Sequence, residues 1–259
     1  MSIVENAGVT GRSFSLAERT AISATLPLLA HTAKVPNHRV WGKVFGFKND
    51  FIVVQCLGTN VLETPRSYFS VDGGLTFSVL DTPSPSKLGH CALIKGQYMG
   101  DPAYEYRVVD PVTGLTISLK ESERLGWFVL QHDADCRVAP RGALLFNEDG
   151  SVRTNATFEG LDNVEAVYLN QYIHVRAPRR NSTKLEEEGT YVSADAFDPL
   201  VDDVPQGLWN IKFDGMGGLV IGTNAKYPGS AFFHRPETPL FGSVYMGDGS
   251  VNGDMAFTL

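Results

Sequence analysis

Short runs rich in valine, phenylalanine, tyrosine and isoleucine recur along this chain in pairs, each pair separated by turn residues. This pairing constrains the fold most. Two strands joined by a tight turn lie antiparallel, whereas parallel strands need a long crossover. Residues 39–47 and 51–57 flank Lys48-Asn49-Asp50. Tyr68–Val71 leads through Asp72-Gly73-Gly74 into Leu75–Leu80. Asp-Gly is a hairpin signal because such turns need positive φ. Tyr104–Val109 alternates as a strand, turns at Pro111–Gly114 and returns over Leu115–Leu119. Residues 141–146 read as a strand running into a turn at 147–150. Further strands are expected at Leu208–Phe213, Gly218–Gly222, Ala231–His234 and Phe241–Met246.

Helices are few. Ser15-Leu16-Ala17-Glu18 has the capping-box spacing, and Leu16, Ile22, Leu26 and Leu29 follow on one face. Pro27 is expected to end or kink that helix near its middle. Leu161–His174 reads as a second helix, capped by Asp162 with Glu165 three residues on. Glu121–Asp135 reads as a helix to about Arg124, then a strand through Trp127, Val129 and Gln131. Residues 81–88 read as a Pro/Ser loop. Residues 176–206 are charged and poor in aromatics, and read as a long surface excursion of the kind that often serves binding. Strands in hairpins that do not alternate with helices predict an α+β fold, mainly antiparallel sheet with two or three helices. Residues 1–14 are expected to be a flexible terminus. Residues 15–259 are expected to form a single domain, with room for two lobes meeting near residues 85–95.

The 259 residues are 43% apolar and 20% charged, which suits a globular domain and not a disordered one. The net charge is −7. The basic cluster Arg176, Arg179, Arg180 and Lys184 runs straight into Glu186-Glu187-Glu188. No nucleic-acid partner is expected from that balance. The N-terminus lacks the pattern of a secretory signal, and no apolar run is long enough to span a bilayer, so no membrane partner is expected. The Asn155-Ala156-Thr157 sequon is then expected to go unused. Cys56, Cys91 and Cys136 are too widely spaced for a zinc motif or a disulfide framework, and are expected to be reduced, buried thiols.

Motifs that carry chemistry are scarce. Gly215, Gly217, Gly218 and Gly222 crowd a stretch that fits neither phosphate-binding spacing, and a turn explains them. Gly247-Asp248-Gly249-Ser250 lacks the spaced acidic ligands of a calcium loop. His132-Asp133-Ala134-Asp135-Cys136 holds four ligand types in five residues. As a strand, it would show only His132 and Cys136 on one face with Ala134. An enzyme built on His132 with Asp133 or Asp135 is a minor alternative. No catalytic, cofactor-binding or metal-binding residue is assigned, and no cofactor is expected. Aromatic clusters stand out instead, at Tyr98, Tyr104 and Tyr106 with Met99 between, and at Phe232, Phe233, Phe241 and Tyr245. Such residues serve equally in a sheet core or at a protein interface.

Several stretches together resemble the radial spoke head protein 9 family. The most specific is Gly96-Gln97-Tyr98-Met99-Gly100-Asp101-Pro102-Ala103-Tyr104-Glu105-Tyr106. Pro140-Arg141-Gly142-Ala143-Leu144, Asn155–Leu161, Val204-Pro205-Gln206-Gly207-Leu208-Trp209 and Phe241–Gly249 follow in order, and Val40-Trp41-Gly42-Lys43-Val44 precedes them. Phe241 stands where the family has tyrosine, and residues 255–256 lack its Leu-Pro. The resemblance implies a structural, non-catalytic subunit of the radial spoke head, in the axoneme of motile cilia and flagella. The implied partners are radial spoke head proteins of the 4 and 6 type, with the central pair reached through the assembled head. Candidate interface or motif residues are Tyr98, Met99, Asp101, Pro102, Tyr104, Tyr106, Trp209, Phe241 and Tyr245. The alternative from another class is a cytosolic β-rich module that binds a small ligand or carbohydrate, with clustered Trp and Tyr lining its pocket.

Overall fold

A computed structural model describes residues 7–34, 37–147, 149–179 and 197–255. Its centre is an eight-stranded sheet made of two antiparallel meanders. The first holds β1 (Asn37–Val44), β2 (Phe51–Leu57), β3 (Arg66–Ser70) and β4 (Ser78–Val79). The second holds β11 (Trp209–Asp214), β12 (Leu219–Asn224), β13 (Ser230–His234) and β14 (Phe241–Gly247). The meanders join where β14 lies parallel to β1, with Gly42 opposite Tyr245. Every other pairing in this sheet is antiparallel. Three small hairpins or pairs surround it: β5 (Glu105–Val109) with β6 (Thr116–Lys120), β7 (Val138–Pro140) with β10 (Tyr172–His174), and β8 (Leu144–Phe146) with β9 (Val152–Thr154). The fold is α+β and mainly sheet, as the hairpin spacing predicts.

Both faces of the sheet are covered, which is why β2 is apolar at nearly every position. Ile52, Val54 and Cys56 face α1 (Leu16–Ala33) in a cluster with Ile22, Val40, Val244 and Met246. Phe51 and Val53 alternate to the other face, where α3 (Glu121–Cys136) packs Leu125, Phe128 and Val129. Trp41 reaches that face through a bulge, since the β1–β2 register shifts between Val40 and Gly42. Gly42 makes the join possible. Its φ is +150°, and a Cβ there would sit 2.0 Å from the Tyr245 carbonyl oxygen.

The capping box at Ser15 is present, with Glu18 N–H on Ser15 Oγ and Ser15 N–H on Glu18 Oε2. The helix does not end at Pro27 but runs on to Ala33. Pro27 and Ser23, whose carbonyl loses its partner, both lie on the exposed side, open to solvent. The Pro/Ser loop at 81–88 is shorter than expected, because α2 (Pro85–Cys91) begins inside it with proline in its first turn. The segment Glu121–Asp135 is one helix, α3, with no strand in it. Leu125, Phe128, Val129, His132 and Cys136 are all buried, at helical spacing. The helix expected over Leu161–His174 is absent. Asp162 does accept from the backbone N–H groups of Val164 and Glu165. The chain then makes only two 3₁₀ turns before Tyr172–His174 extends to pair with β7. Val164 and Tyr168 stay exposed, while Tyr172, Ile173 and His174 are buried in the strand pairing that replaces the helix.

The middle of the expected 176–206 excursion, residues 180–196, lies outside the described residues. Its far end is anchored, with Phe197 buried and stacked on Phe146 at 4.7 Å. In the N-terminal stretch, residues 7–10 form a 3₁₀ turn against β13 and β14, and Phe14 is buried. Cys56, Cys91 and Cys136 are free and buried. Among the described residues no helix is long and apolar enough to cross a membrane.

Candidate interface site around the Tyr98–Tyr106 segment

The segment from Gly96 to Tyr106 wraps around the start of α3. Glu121, the first residue of that helix, is wholly buried. Its carboxylate accepts from the backbone N–H groups of Met99 (2.8 Å), Gly100 (2.7 Å) and Asp101 (3.1 Å), and from the Tyr106 hydroxyl (2.5 Å). Four donors replace the water that a buried carboxylate gives up. Gly100 has φ +83°, and a Cβ on it would meet the Asn49 backbone oxygen at 2.1 Å. Only glycine brings this loop close enough to donate to Glu121.

One turn along, Arg124 completes the cluster. It donates to the Gly96 carbonyl at 2.5 Å and to the Tyr106 hydroxyl at 3.1 Å. Its guanidinium lies 4.0 Å from the Tyr98 ring centre and 5.4 Å from that of Tyr106. Tyr106 therefore donates to a carboxylate and accepts from a guanidinium. Burial, then the Glu121 bond, pushes its hydroxyl up to about 12. Burial pushes the Tyr98 hydroxyl up further. Phenols so placed stay neutral at physiological pH, and the cluster holds its geometry.

The sequence-predicted site residues divide by depth. Tyr98 and Tyr245 are wholly buried and Trp209 nearly so. Tyr98 packs edge-on against Phe51, and Tyr245 sits among Trp41, Phe128 and His132. Trp209 donates its indole N–H to Asp203 at 2.8 Å. Phe241 is half-buried beside Phe158. Met99 and Pro102 are half-buried. Asp101 is exposed and closes a small turn, accepting the Ala103 N–H on its side chain and the Tyr104 N–H on its carbonyl. Tyr104 is 41% exposed and leans edge-on against Tyr106 at 5.0 Å. The structure thus brings Tyr98 to Tyr106 into one cluster, while Trp209, Phe241 and Tyr245 lie elsewhere. Glu121 and Arg124, which organise the cluster, carry no mark in the sequence, since a first-turn glutamate serves any helix.

The other candidate, His132 to Cys136, lies in the last turns of α3. His132 Nε2 meets Ser230 Oγ at 2.8 Å, and the ring is packed among Trp41, Phe128, Tyr227 and Tyr245. Burial holds its pKa down at about 4. Asp133 points elsewhere, accepting from Arg39, Trp41 and Gln55. Asp135 turns to a third side and binds Lys226 and Tyr227. The three side chains therefore do not converge. Among the described residues no group of three or more His, Cys, Asp or Glu is placed to hold a metal ion.

No protein-family profile matches the chain. Individual proteins do. It is 32% identical to the radial spoke head protein 9 homolog of Danio rerio, over 98% of this chain and 96% of that protein. The homolog of Homo sapiens is 30% identical over 99% and 97%, and that of Xenopus tropicalis 31% over 96% and 95%. With identity at this level running almost end to end, the segment ordered around Glu121 and Arg124 is part of a chain that belongs to the radial spoke head protein 9 family.

Proposed function

We propose that this chain is a non-catalytic structural subunit of the radial spoke head, in the axoneme of motile cilia and flagella, where it supports head assembly and regulation of the beat. The observation that carries this reading is the end-to-end similarity to relatives named as radial spoke head proteins. Its partners are other head subunits, of the radial spoke head protein 4 and 6 type, and the central pair is reached through the assembled head. The surface supports a protein partner. Among the described residues the β5–β6 hairpin pairs with no other strand, and it exposes Val109, Val112 and Leu115 at 60%, 89% and 66%. Tyr104 stands at its base. Exposed apolar side chains on a strand pair with two open edges suit burial against another subunit.

Fractionation of a flagellated cell that expresses a tagged copy tests the reading. After detergent removes membranes, the tag is expected in the axonemal pellet, co-extracting with spoke proteins. Release with the soluble cytosol overturns it. Val112→Asp combined with Leu115→Asp is expected to leave thermal melting unchanged and to reduce co-extraction. Unchanged co-extraction moves the interface off this hairpin.

A further inference from the structure

A cleft of about 490 Å³ opens where β1, the 57–63 loop, β7, the β8–β9 hairpin and the start of β14 meet. Its charged lining residues are Arg39, Arg137 and Arg153, against a single acidic one, Glu63. That excess of positive charge stands out on a chain of net charge −7. Its apolar wall includes Val138, Leu144, Val175 and Phe241.

The three arginines are not equivalent. Arg39 makes four hydrogen bonds, to Gln55, Asp133 and Ser243. Arg153 is exposed and reaches Asn147. Arg137 is only 9% exposed and, among the described residues, its side chain donates a single hydrogen bond, from Nη2 to the Val61 carbonyl at 2.7 Å. A guanidinium has five N–H donors, so most of its capacity is unused. Among the described residues no carboxylate lies within ion-pair distance of it. Asp133, the acidic group that acts on it most, is taken up by Arg39, Trp41 and Gln55. Burial and the nearby Arg39 charge push the Arg137 pKa down to about 10. A desolvated cation without a counterion is costly. An anion entering the cleft would remove that cost.

We propose that this cleft binds a carboxylate carried on an apolar body, with the unengaged edge of Arg137 as its counterion and the β7–β14 wall as its apolar contact. A guanidinium edge matches the two oxygens of a carboxylate. With Arg39 already neutralised by Asp133, one buried cation is available, which suits a monoanion better than a phosphate. The carboxylate has two sources of equal chemistry: a free organic acid, or an acidic side chain between apolar residues on a neighbouring polypeptide. The proposal stands on the cleft alone and does not depend on the role in the spoke head.

Calorimetric titration of the full chain tests it, with 3-phenylpropionate and with the acetylated tripeptide amide Leu-Glu-Leu as probes. The neutral controls are 3-phenylpropanamide and the Leu-Gln-Leu peptide. At least one acid is expected to saturate the protein, and its neutral control to bind at least about tenfold more weakly. Saturation by the small acid indicates a free ligand, and saturation by the peptide alone indicates a polypeptide. Arg137→Met is expected to weaken binding about tenfold or more without lowering the melting temperature, because it removes an unpaired buried charge. Should that variant fail to fold, Arg153→Glu on the exposed rim is expected to weaken binding about threefold through reversed charge. Failure of both acids to saturate, equal binding of the neutral controls, or unchanged affinity in whichever of the two variants folds overturns the proposal.

Discussion

Arg124, in the first turn of α3, and Arg137, one residue past its end, are both buried, at 3% and 9% exposure. Their surroundings differ. Arg124 is held by a carbonyl, a phenol and two aromatic faces, in a cluster whose carboxylate takes four donors. Arg137 has one carbonyl and an open cleft. A second polar atom near that end is also unmatched, since His132 Nδ1 is buried with no partner among the described residues. One helix thus carries a closed polar network at its start and an unfinished one at its finish. A closed network fixes shape. An unfinished one leaves interaction capacity for something else.

The contrast breaks hardest at Glu121. Glu121→Ala strands three backbone N–H groups and a tyrosine hydroxyl beside a buried arginine, and is expected to destabilise by about 4 kcal/mol in chemical denaturation. A loss below about 1 kcal/mol would show that water replaces the carboxylate with ease. Next comes His132. Its pKa is about 4 in the fold against 6.5 when exposed, so the unfolded chain binds the extra proton between those values. The stability it contributes is complete above about pH 6.5 and is lost as pH falls toward 4, by up to about 3 kcal/mol. His132→Leu is expected to flatten that part of the stability–pH curve. An unaltered curve would place the titration elsewhere.

Arg124→Met and Arg137→Met then compare the two ends directly. The first is expected to cost about 2 kcal/mol, since the Gly96 carbonyl loses its donor and two rings lose their cation. The second is expected to be neutral or stabilising in the same melts. Equal losses would erase the distinction between the ends. The smallest expected loss is that of Asp101→Ala, which removes one exposed side-chain bond to the Ala103 N–H and costs under about 1 kcal/mol.

Much of the fold was legible because hairpins write themselves locally. At Asp72-Gly73-Gly74 the chain reverses as expected, with both glycines at positive φ and the Asp72 carboxylate, accepting from Ser70, Leu75 and Thr76, held at a pKa of about 2, but the connection is longer than a tight hairpin turn and the strand expected over Leu75–Leu80 is only Ser78–Val79. The Ser15 capping box is equally local. Helix α3 was misread beyond Arg124, because Trp127, Val129 and Gln131 offer a competing alternation that hides the spacing of Leu125, Phe128, Val129 and His132. Leu161–His174 misleads in the opposite sense. Its cap is real, while pairing of Tyr172–His174 with β7 overrides the helix beyond it. The candidate site was half visible. Tyr98–Tyr106 is recognisable as a motif, but its meeting with Glu121 and Arg124 is a tertiary event. Arg137 carries no local signal, because its isolation depends on where Asp133 points.

The parallel join of β1 to β14 reaches beyond the finished fold. A ribosome releases the first meander early, yet the neighbour of β1 cannot exist until Phe241–Gly247 has been synthesised. During that interval the middle of the future sheet is an open edge with Val40, Trp41 and Val44 along it. Such a chain gains its most central hydrogen bonds only after Phe241–Gly247 has been made, a pattern of distant contacts that slows folding and exposes nascent molecules to aggregation. Chaperone supply during translation should therefore limit how much of this protein a cell accumulates, and a premature stop before Phe241 should yield a product that quality control removes.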